Sequence, residues 1–144
     1  MTAGYRFSPA WDVSVSYSNV QYIPGVGSSF RNTATFNTAG AVLHWKPTVS
    51  WDFAGGYSYT RATQSNGITS AAQYHQISLT QYYSLSARTG LYLGEAYQHS
   101  SGKTIGSNGV KIIDATASIG DGFNGSPSSS GSQVTAGVGI LHRF

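Results

Sequence analysis

The sequence predicts an all-β fold: an antiparallel transmembrane β-barrel wall of seven strands. Three observations lead to this prediction. Apolar and polar residues alternate along the chain, charged residues are rare while aromatic residues are common, and the connections between strands alternate between short and long. Because successive strand side chains project to opposite faces, alternation gives a sheet one apolar and one polar side. Membrane barrels turn these sides toward lipid and water.

Composition separates this chain from ordinary soluble proteins. Charged residues make up 9% of the 144 residues and aromatic residues 13%, whereas soluble globular chains are roughly 25% charged. No apolar run approaches the roughly 18 residues of a membrane helix. The absence of cysteine excludes a disulfide scaffold and a thiolate metal site. The net charge of +3 comes without a basic cluster, so we expect no nucleic-acid partner.

The period-two pattern is clearest in the second predicted strand, at about 11–22. There Trp11, Val13 and Val15 alternate with an aspartate and serines. The remaining six predicted strands span about 2–7, 32–46, 51–60, 73–85, 90–100 and 133–144.

The faces of the strand at 90–100 are ambiguous, because Leu91, Leu93 and Tyr97 share a face with Glu95. A carboxylate facing lipid is costly. We therefore predict that the Glu95 face is turned to the lumen. The face of Tyr92, Gly94 and Ala96 is then turned to lipid.

Connection lengths predict the orientation of the strands. The links around Pro9, Pro47 and Ala87 are short, whereas those around Gly25, around Asn66 and over 102–132 are longer. Outer-membrane barrels have short periplasmic turns and long extracellular loops. Residues 110–119 have strand character, but a crossing there would put the end of the last strand among the long loops. We predict that 110–119 is structure within the long extracellular loop 102–132.

The aromatic residues sort by connection length, as expected for interfacial belts. All three tryptophans flank short turns. The predicted girdle on the side of the short turns consists of Phe7, Trp11, Trp45, Trp51, Tyr83, Tyr92 and Phe144. Residues near the long loops that would supply the opposite girdle are Tyr22, Phe30, Tyr59, Tyr74 and Tyr97.

Two stretches indicate a family. The last strand ends on an aromatic residue, and its final run VGILHRF, from Val138 to Phe144, resembles the V-G-x-x-H-[RK]-F ending of porins from β-proteobacteria. The run YSLSARTGLY, from Tyr83 to Tyr92, resembles the Y-x-L-S-K-R-T-x-x-Y stretch of the same family, with Ala87 where lysine is usual. The resemblance is to the C-terminal portion of a 16-stranded general diffusion porin and covers essentially the whole chain.

This resemblance implies a location in the bacterial outer membrane and passive diffusion of small hydrophilic solutes and ions. It implies outer-membrane lipids and the barrel assembly machinery as partners, and a homotrimer for the full-length parent. At roughly 20 residues per crossing, 16 strands need roughly 330 residues, so we expect this chain to be a fragment. No signal peptide is apparent at its start. The family's constriction loop comes largely from the N-terminal half, and we expect no counterpart here. The assembly signal implied at the C-terminus is Val138, Ile140, His142 and Phe144.

Charges on the lumen side are the candidate functional residues. Either some of them tune ion preference, or most lie near a rim and only solvate the wall. The four histidines lie on different strands without ligand spacing or an accompanying carboxylate pattern, so we expect no metal. There is no G-x-S-x-G motif, and we expect no catalytic residue and no cofactor. The predicted pore-lining residues are Arg6, Asp12, Lys46, Asp52, Glu95 and Arg143.

Two other architectures compete with the porin fragment. A small eight-stranded outer-membrane barrel, acting as a structural anchor or adhesin, would require residues 110–119 to be a true crossing. A soluble β-sandwich would leave rows of Trp, Tyr and Val exposed on its outer faces.

The seven strands of the predicted barrel wall also leave two unpaired edges, which lipid cannot solvate.

Overall fold

The computed structural model describes residues 1–106, 108–120 and 127–144. The predicted loop 102–132 therefore includes positions that lie outside the described residues. Across the described ranges the fold is all-β, and no helix there is long and apolar enough to cross a membrane. The strands are β1 (Thr2–Ser8), β2 (Trp11–Tyr22), β3 (Ala34–Trp45), β4 (Trp51–Ala62), β5 (Gln73–Ser84), β6 (Thr89–Ser101), β7 (Lys103–Ile105), β8 (Ile112–Asp114) and β9 (Ser132–His142).

The main sheet has seven strands in the order β1-β2-β3-β4-β5-β6-β9, and every neighbouring pair is antiparallel. The seven predicted strands are confirmed, with ends that differ from the prediction by up to two residues. The sheet is open, since β1 and β9 are its two edges. Because each strand reverses its neighbour, these two edge strands run in the same direction.

A second, two-stranded sheet lies within the connection between β6 and β9. β7 pairs with β8, Thr104 opposite Ile113, and the Lys103 ammonium contacts the Asp114 carboxylate at 2.8 Å. Gly106 donates its N–H to the Lys111 carbonyl and so closes the hairpin. β8 therefore does not join the large sheet, as predicted for 110–119.

The two ends of the large sheet differ in their connections. At one end, called the turn end, residues 9–10, 46–50 and 85–88 link the strands. At the other, called the loop end, the links are residues 23–33, 63–72 and 102–131. The alternation of short and long connections is thus present in the fold, and it places Trp11, Trp45 and Trp51 together at the turn end.

Register partners define two faces. Val13 lies between Tyr5 and Leu43, and the face that contains these residues is called the apolar face. Ser14 lies between Gly4 and Val42 on the opposite side, called the polar face. Serine, threonine, glutamine and glycine are the commonest residues of the polar face, except at the loop ends of β2 and β3, where Tyr22 and Phe36 face this side.

Within the described residues, the apolar face is not covered by a hydrophobic core. Among the described residues the buried apolar side chains are three alanines, and no large side chain is fully buried. Trp11 is 40% exposed, Val15 is 50% exposed and Val138 is 79% exposed. The seven strands are therefore held to one another by their hydrogen-bond ladders and by contacts along each face.

Candidate functional site

The polar face forms a wall lined by small and hydroxyl-bearing side chains. Its middle is a patch of serines and glycines, in which Ser16, Gly40 and Ser58 are consecutive register partners. Thr38 and Thr60 share a hydrogen bond of 2.7 Å beside this patch. Such a surface binds water readily and has no bulky group in its centre.

A charged cluster stands on the polar face near the turn end. His44 lies between two carboxylates: its Nδ1 contacts Asp12 Oδ2 at 3.0 Å, and its Nε2 contacts Asp52 Oδ1. The register explains the first contact, because Asp12 and His44 are direct partners across β2 and β3. A neutral imidazole donates from one nitrogen only, so both hydrogen bonds form together only when the cluster holds an additional proton.

The cluster joins three strands. The expectation that no carboxylate accompanies a histidine was wrong, since the sequence separation of Asp12, His44 and Asp52 hides their proximity. Arg6 is the register partner of Asp12 on the outer side of the cluster. The cluster is half-buried, with side chains between 30% and 35% exposed.

The geometry does not resemble a metal centre. Each carboxylate contacts its own ring nitrogen, so the possible ligand atoms do not converge on one point. No group of three or more His, Asp or Glu residues in the described parts of the chain is arranged to hold a metal ion. The cluster can instead hold the Asp12 and Asp52 carboxylates in fixed positions on the polar face.

The predicted pore-lining charges occupy different places. Arg6, Asp12 and Asp52 lie on the polar face, and the structure brings the two aspartates together through His44. Lys46 follows the end of β3 and donates its backbone N–H to Ala10, and Arg143 follows β9 and donates its backbone N–H to Arg88. Five of the six charges are thus gathered at the turn end.

Glu95 is the exception, and its predicted face was wrong. It lies between Leu79 of β5 and Ala136 of β9, on the apolar face. Gly94 and Ala96, expected to face lipid, lie on the polar face beside Thr80 and Ser78. The hydrogen-bond register with two neighbouring strands fixes these faces, and it outweighs the cost of one exposed carboxylate.

The aromatic residues of the turn end form a continuous row on the apolar face. The Trp11 and Trp45 rings are stacked with centroids 5.3 Å apart, and Trp45 stacks on Phe53 at 5.4 Å. Trp51 contacts Phe53 at 5.4 Å and Tyr83 at 4.7 Å. Phe53 was not among the predicted girdle residues, although it lies two residues after Trp51 and therefore on the same face of β4. Each such pair contributes about 0.5–1.5 kcal/mol beyond area burial.

The other predicted girdle residues are less uniform. Phe7 shares the apolar face and contacts Tyr5 with centroids 5.0 Å apart. Tyr92 lies on the polar face, as the register partner of Tyr82 and Gly139, so its predicted outward position was wrong. Phe144 follows β9, is fully exposed and contacts His142 edge-on at 4.8 Å.

The predicted assembly-signal residues form a row along one side of β9. Val138 and Ile140 are 79% and 65% exposed on the apolar face. His142 shares a hydrogen bond of 2.9 Å with the Thr89 hydroxyl at the start of β6. β9 is an edge strand beside this row, since β6 is the one strand that pairs with it among the described residues.

The connection between β6 and β9 folds back over the polar face. The segment from 115 to 119, called the strap, contacts β6 through buried Ala115 and Ala117, which are 4% and 0% exposed. The Ser100 hydroxyl donates to the Ala115 carbonyl at 2.8 Å, and the Ser118 N–H donates to Gln98 Oε1 at 2.7 Å. The strap therefore covers the polar face near the loop end.

Strand side chains are arranged to hold the strap. Gln98 is only 9% exposed, and its amide also donates to Gln76 Oε1 at 2.8 Å. Gln133 of β9 accepts the Ile119 N–H at 2.7 Å. Sequence patterning did not reveal this arrangement. The signal available in the sequence is one glutamine on each of three strands, and only the register shows that Gln76, Gln98 and Gln133 are neighbours on the polar face.

No protein-family model matches the chain, and no curated protein matches it.

Proposed function

We propose that this chain forms part of the wall of an outer-membrane porin, a water-filled channel that passes small hydrophilic solutes and ions by passive diffusion. The observation that carries the proposal is the two-faced sheet without a core. In water, the exposed Trp, Tyr, Val and Leu side chains of the apolar face would be costly. In a bilayer, the same face meets acyl chains and the polar face meets water.

Connection lengths and the aromatic row support one orientation. The turn end would face the periplasm, with its row from Trp11 to Tyr83 at the headgroup level. The loop end would face the outside. There the apolar face becomes polar, with Asn37 and Arg61 as register partners. This change marks the upper boundary of the lipid-facing band.

The open edges support a wall of more than seven strands. β1 and β9 run in the same direction, so an all-antiparallel closure needs an odd number of further strands. A second copy supplies seven strands, but only if it is inverted, which puts its long loops at the first copy's turn end. Because bilayers and aromatic rims are directional, an inverted copy is a poor fit. We propose that further strands of a larger barrel complete the wall.

The competing architectures receive less support. The eight-stranded barrel requires residues 110–119 as a strand of the large sheet, whereas among the described residues β8 pairs with β7 in a separate sheet. The β-sandwich requires a second sheet packed on the apolar face, whereas Trp11, Val15 and Tyr57 are 40%, 50% and 47% exposed.

In the proposed channel, solutes diffuse along the wall without being chemically changed. Serine and glycine leave room for hydrated solutes, and the charges of the turn end bias which ions approach. The Asp12–His44–Asp52 cluster holds two carboxylates in fixed positions on that wall. The strap narrows the space beside β6 and β9 at the loop end.

Single cysteines test the proposal, because the chain has no cysteine of its own. The matched pairs are Ser16→Cys with Val15→Cys on β2, and Thr80→Cys with Leu79→Cys on β5. Each variant is refolded into phospholipid vesicles and treated with a charged, membrane-impermeant thiosulfonate reagent. The thiolate is the reactive form and needs water. We expect the polar-face cysteines to react at least about tenfold faster than their apolar-face neighbours. Equal rates within both pairs, in chains that resist carbonate extraction from the vesicles, would exclude a lipid-facing side.

A further inference from the structure

A cavity of about 490 Å³ lies at the loop end, on the polar-face side of the sheet. Its volume falls within the roughly 300–1,000 Å³ of small-molecule sites. The floor is formed by Tyr22 and Phe36, whose rings meet edge-on with centroids 5.8 Å apart. Phe30, Ile68 and Ile105 complete the walls. An apolar cavity on an otherwise polar face is not explained by passage of hydrophilic solutes.

Contacts between the long connections hold the walls in place. Asn66 accepts the N–H groups of Arg31 and Asn32 at 3.0 and 2.7 Å and donates to the Asn32 carbonyl at 2.7 Å. Asn66 has a φ of 52°, a left-handed conformation that asparagine tolerates. The Lys103 N–H donates to the Ser70 carbonyl at 2.8 Å and so ties β7 to the preceding loop. The cavity is therefore largely pre-formed.

The cavity is not a small core beneath the loops. Tyr22 is 58% exposed, and Phe30, Phe36, Ile68 and Ile105 are half-buried. A loop core of this size would bury such side chains against one another. These surfaces are instead available to a bound molecule.

Charge around the cavity favours an anion. Lys103 lines the wall, and Arg31 directly follows Phe30 of the lining. Asp114 is the one carboxylate among the described residues of this region. Its ion pair with Lys103 is open to solvent, with side chains 85% and 52% exposed. Exposed pairs contribute only about 0–1 kcal/mol, so Lys103 can exchange Asp114 for a ligand anion.

We propose that this cavity binds a small aromatic carboxylate, with its ring between Tyr22, Phe36 and Ile105 and its carboxylate at Lys103. The inference goes beyond the proposed channel wall. It is tested by ligand binding and not by accessibility or conductance, so failure of one proposal does not imply failure of the other.

The test is a ¹⁹F NMR titration of 6-fluoro-2-naphthoate with the full chain in detergent micelles, against empty micelles. At about 0.3 kcal/mol per heavy atom, we expect saturable binding with a Kd of about 1 mM. Phe36→Ala should weaken binding about tenfold. Ile105 lies outside the seven-stranded sheet, and Ile105→Ala should also weaken naphthoate binding. This variant keeps the test valid if Phe36→Ala does not fold. Leu79→Ala, on the apolar face, is the matched control and should leave Kd unchanged.

The neutral analogue 6-fluoro-2-naphthalenemethanol separates the charge from the ring. Lys103→Gln should weaken naphthoate binding and leave binding of the alcohol unchanged. Shifts no different from those of empty micelles, or equal losses in Leu79→Ala and Ile105→Ala, would overturn the proposed site. Equal effects of Lys103→Gln on the acid and the alcohol would overturn its assignment to an anion.

Discussion

Tyr92 of β6 lies across Gly139 of β9, its direct register partner on the polar face. A Cβ added to Gly139 would come within 2.4 Å of the Tyr92 ring. Tyr82 occupies the same kind of position over Gly90, where a Cβ would lie 2.0 Å from its hydroxyl oxygen. Two tyrosine rings therefore occupy space on neighbouring strands that a Cβ would fill, because glycine stands at both positions.

This contact predicts opposite effects for two glycines of one strand. Gly139→Ala should displace the Tyr92 ring and lower the free energy of unfolding by about 1–3 kcal/mol. Gly137→Ala meets no atom within 4 Å and should be neutral or stabilising by about 0.5–1 kcal/mol. Urea unfolding of the two variants in detergent measures the difference. Equal stability of both variants would show that the Tyr92 ring moves away at no cost.

Glu95 lies on the apolar face, in a setting formed by Leu79, Ala136 and Tyr97. If this face meets lipid, Glu95→Leu should raise the free energy of unfolding in vesicles by about 1–2 kcal/mol, because a lipid-facing carboxylate is removed. Asp114→Leu, whose native side chain is 85% exposed in the β7–β8 hairpin, is the control and should have little effect. A loss of stability in Glu95→Leu would contradict the lipid-facing assignment.

The contact between His44 and Asp52 predicts a measurable coupling energy. In a double-mutant cycle with His44→Ala and Asp52→Ala, we expect a coupling of about 1 kcal/mol, discounted because the two side chains are 32% and 30% exposed. The same cycle on Lys103 and Asp114, at 52% and 85% exposure, should give nearly zero. Similar values for the two pairs would mean that the cluster does not stabilise the sheet.

The open edges predict the behaviour of the chain in planar bilayers. β1 and β9 are the two edge strands of the sheet formed by the described residues, and lipid cannot satisfy the backbone groups of an open strand edge. We expect the purified 144-residue protein to give no discrete conductance steps. Reproducible porin-like steps from this chain alone would contradict the proposal that further strands complete the wall.

Several features were predictable because they depend on local pattern. Period-two alternation placed the strands, and the position of Pro47 and the polar run around Asn66 placed a turn and a loop. The segment 110–119 was correctly kept out of the main sheet by the alternation of connection lengths. The porin resemblance and the channel function stay proposals.

Other features depended on contacts between distant segments. Alternation identifies the two sides of a strand but not how they align with the neighbouring strands, since alignment is set by register. In β6, Leu91, Leu93 and Tyr97 share a side with Glu95. The prediction turned this side to the lumen because a lipid-facing carboxylate is costly. The register with β5 and β9 gave the opposite answer.

The sequence by itself determined the class of fold, the number of strands in the large sheet and the two-sided character of most of them, because side-chain alternation is a property of each strand alone. Only the tertiary structure decided on which face Glu95 lies, that His44 contacts Asp12 and Asp52, and that the strap buries Gln98. Each of these depends on pairing between segments far apart in the chain, and hydrogen-bond register fixes that pairing without leaving a local trace.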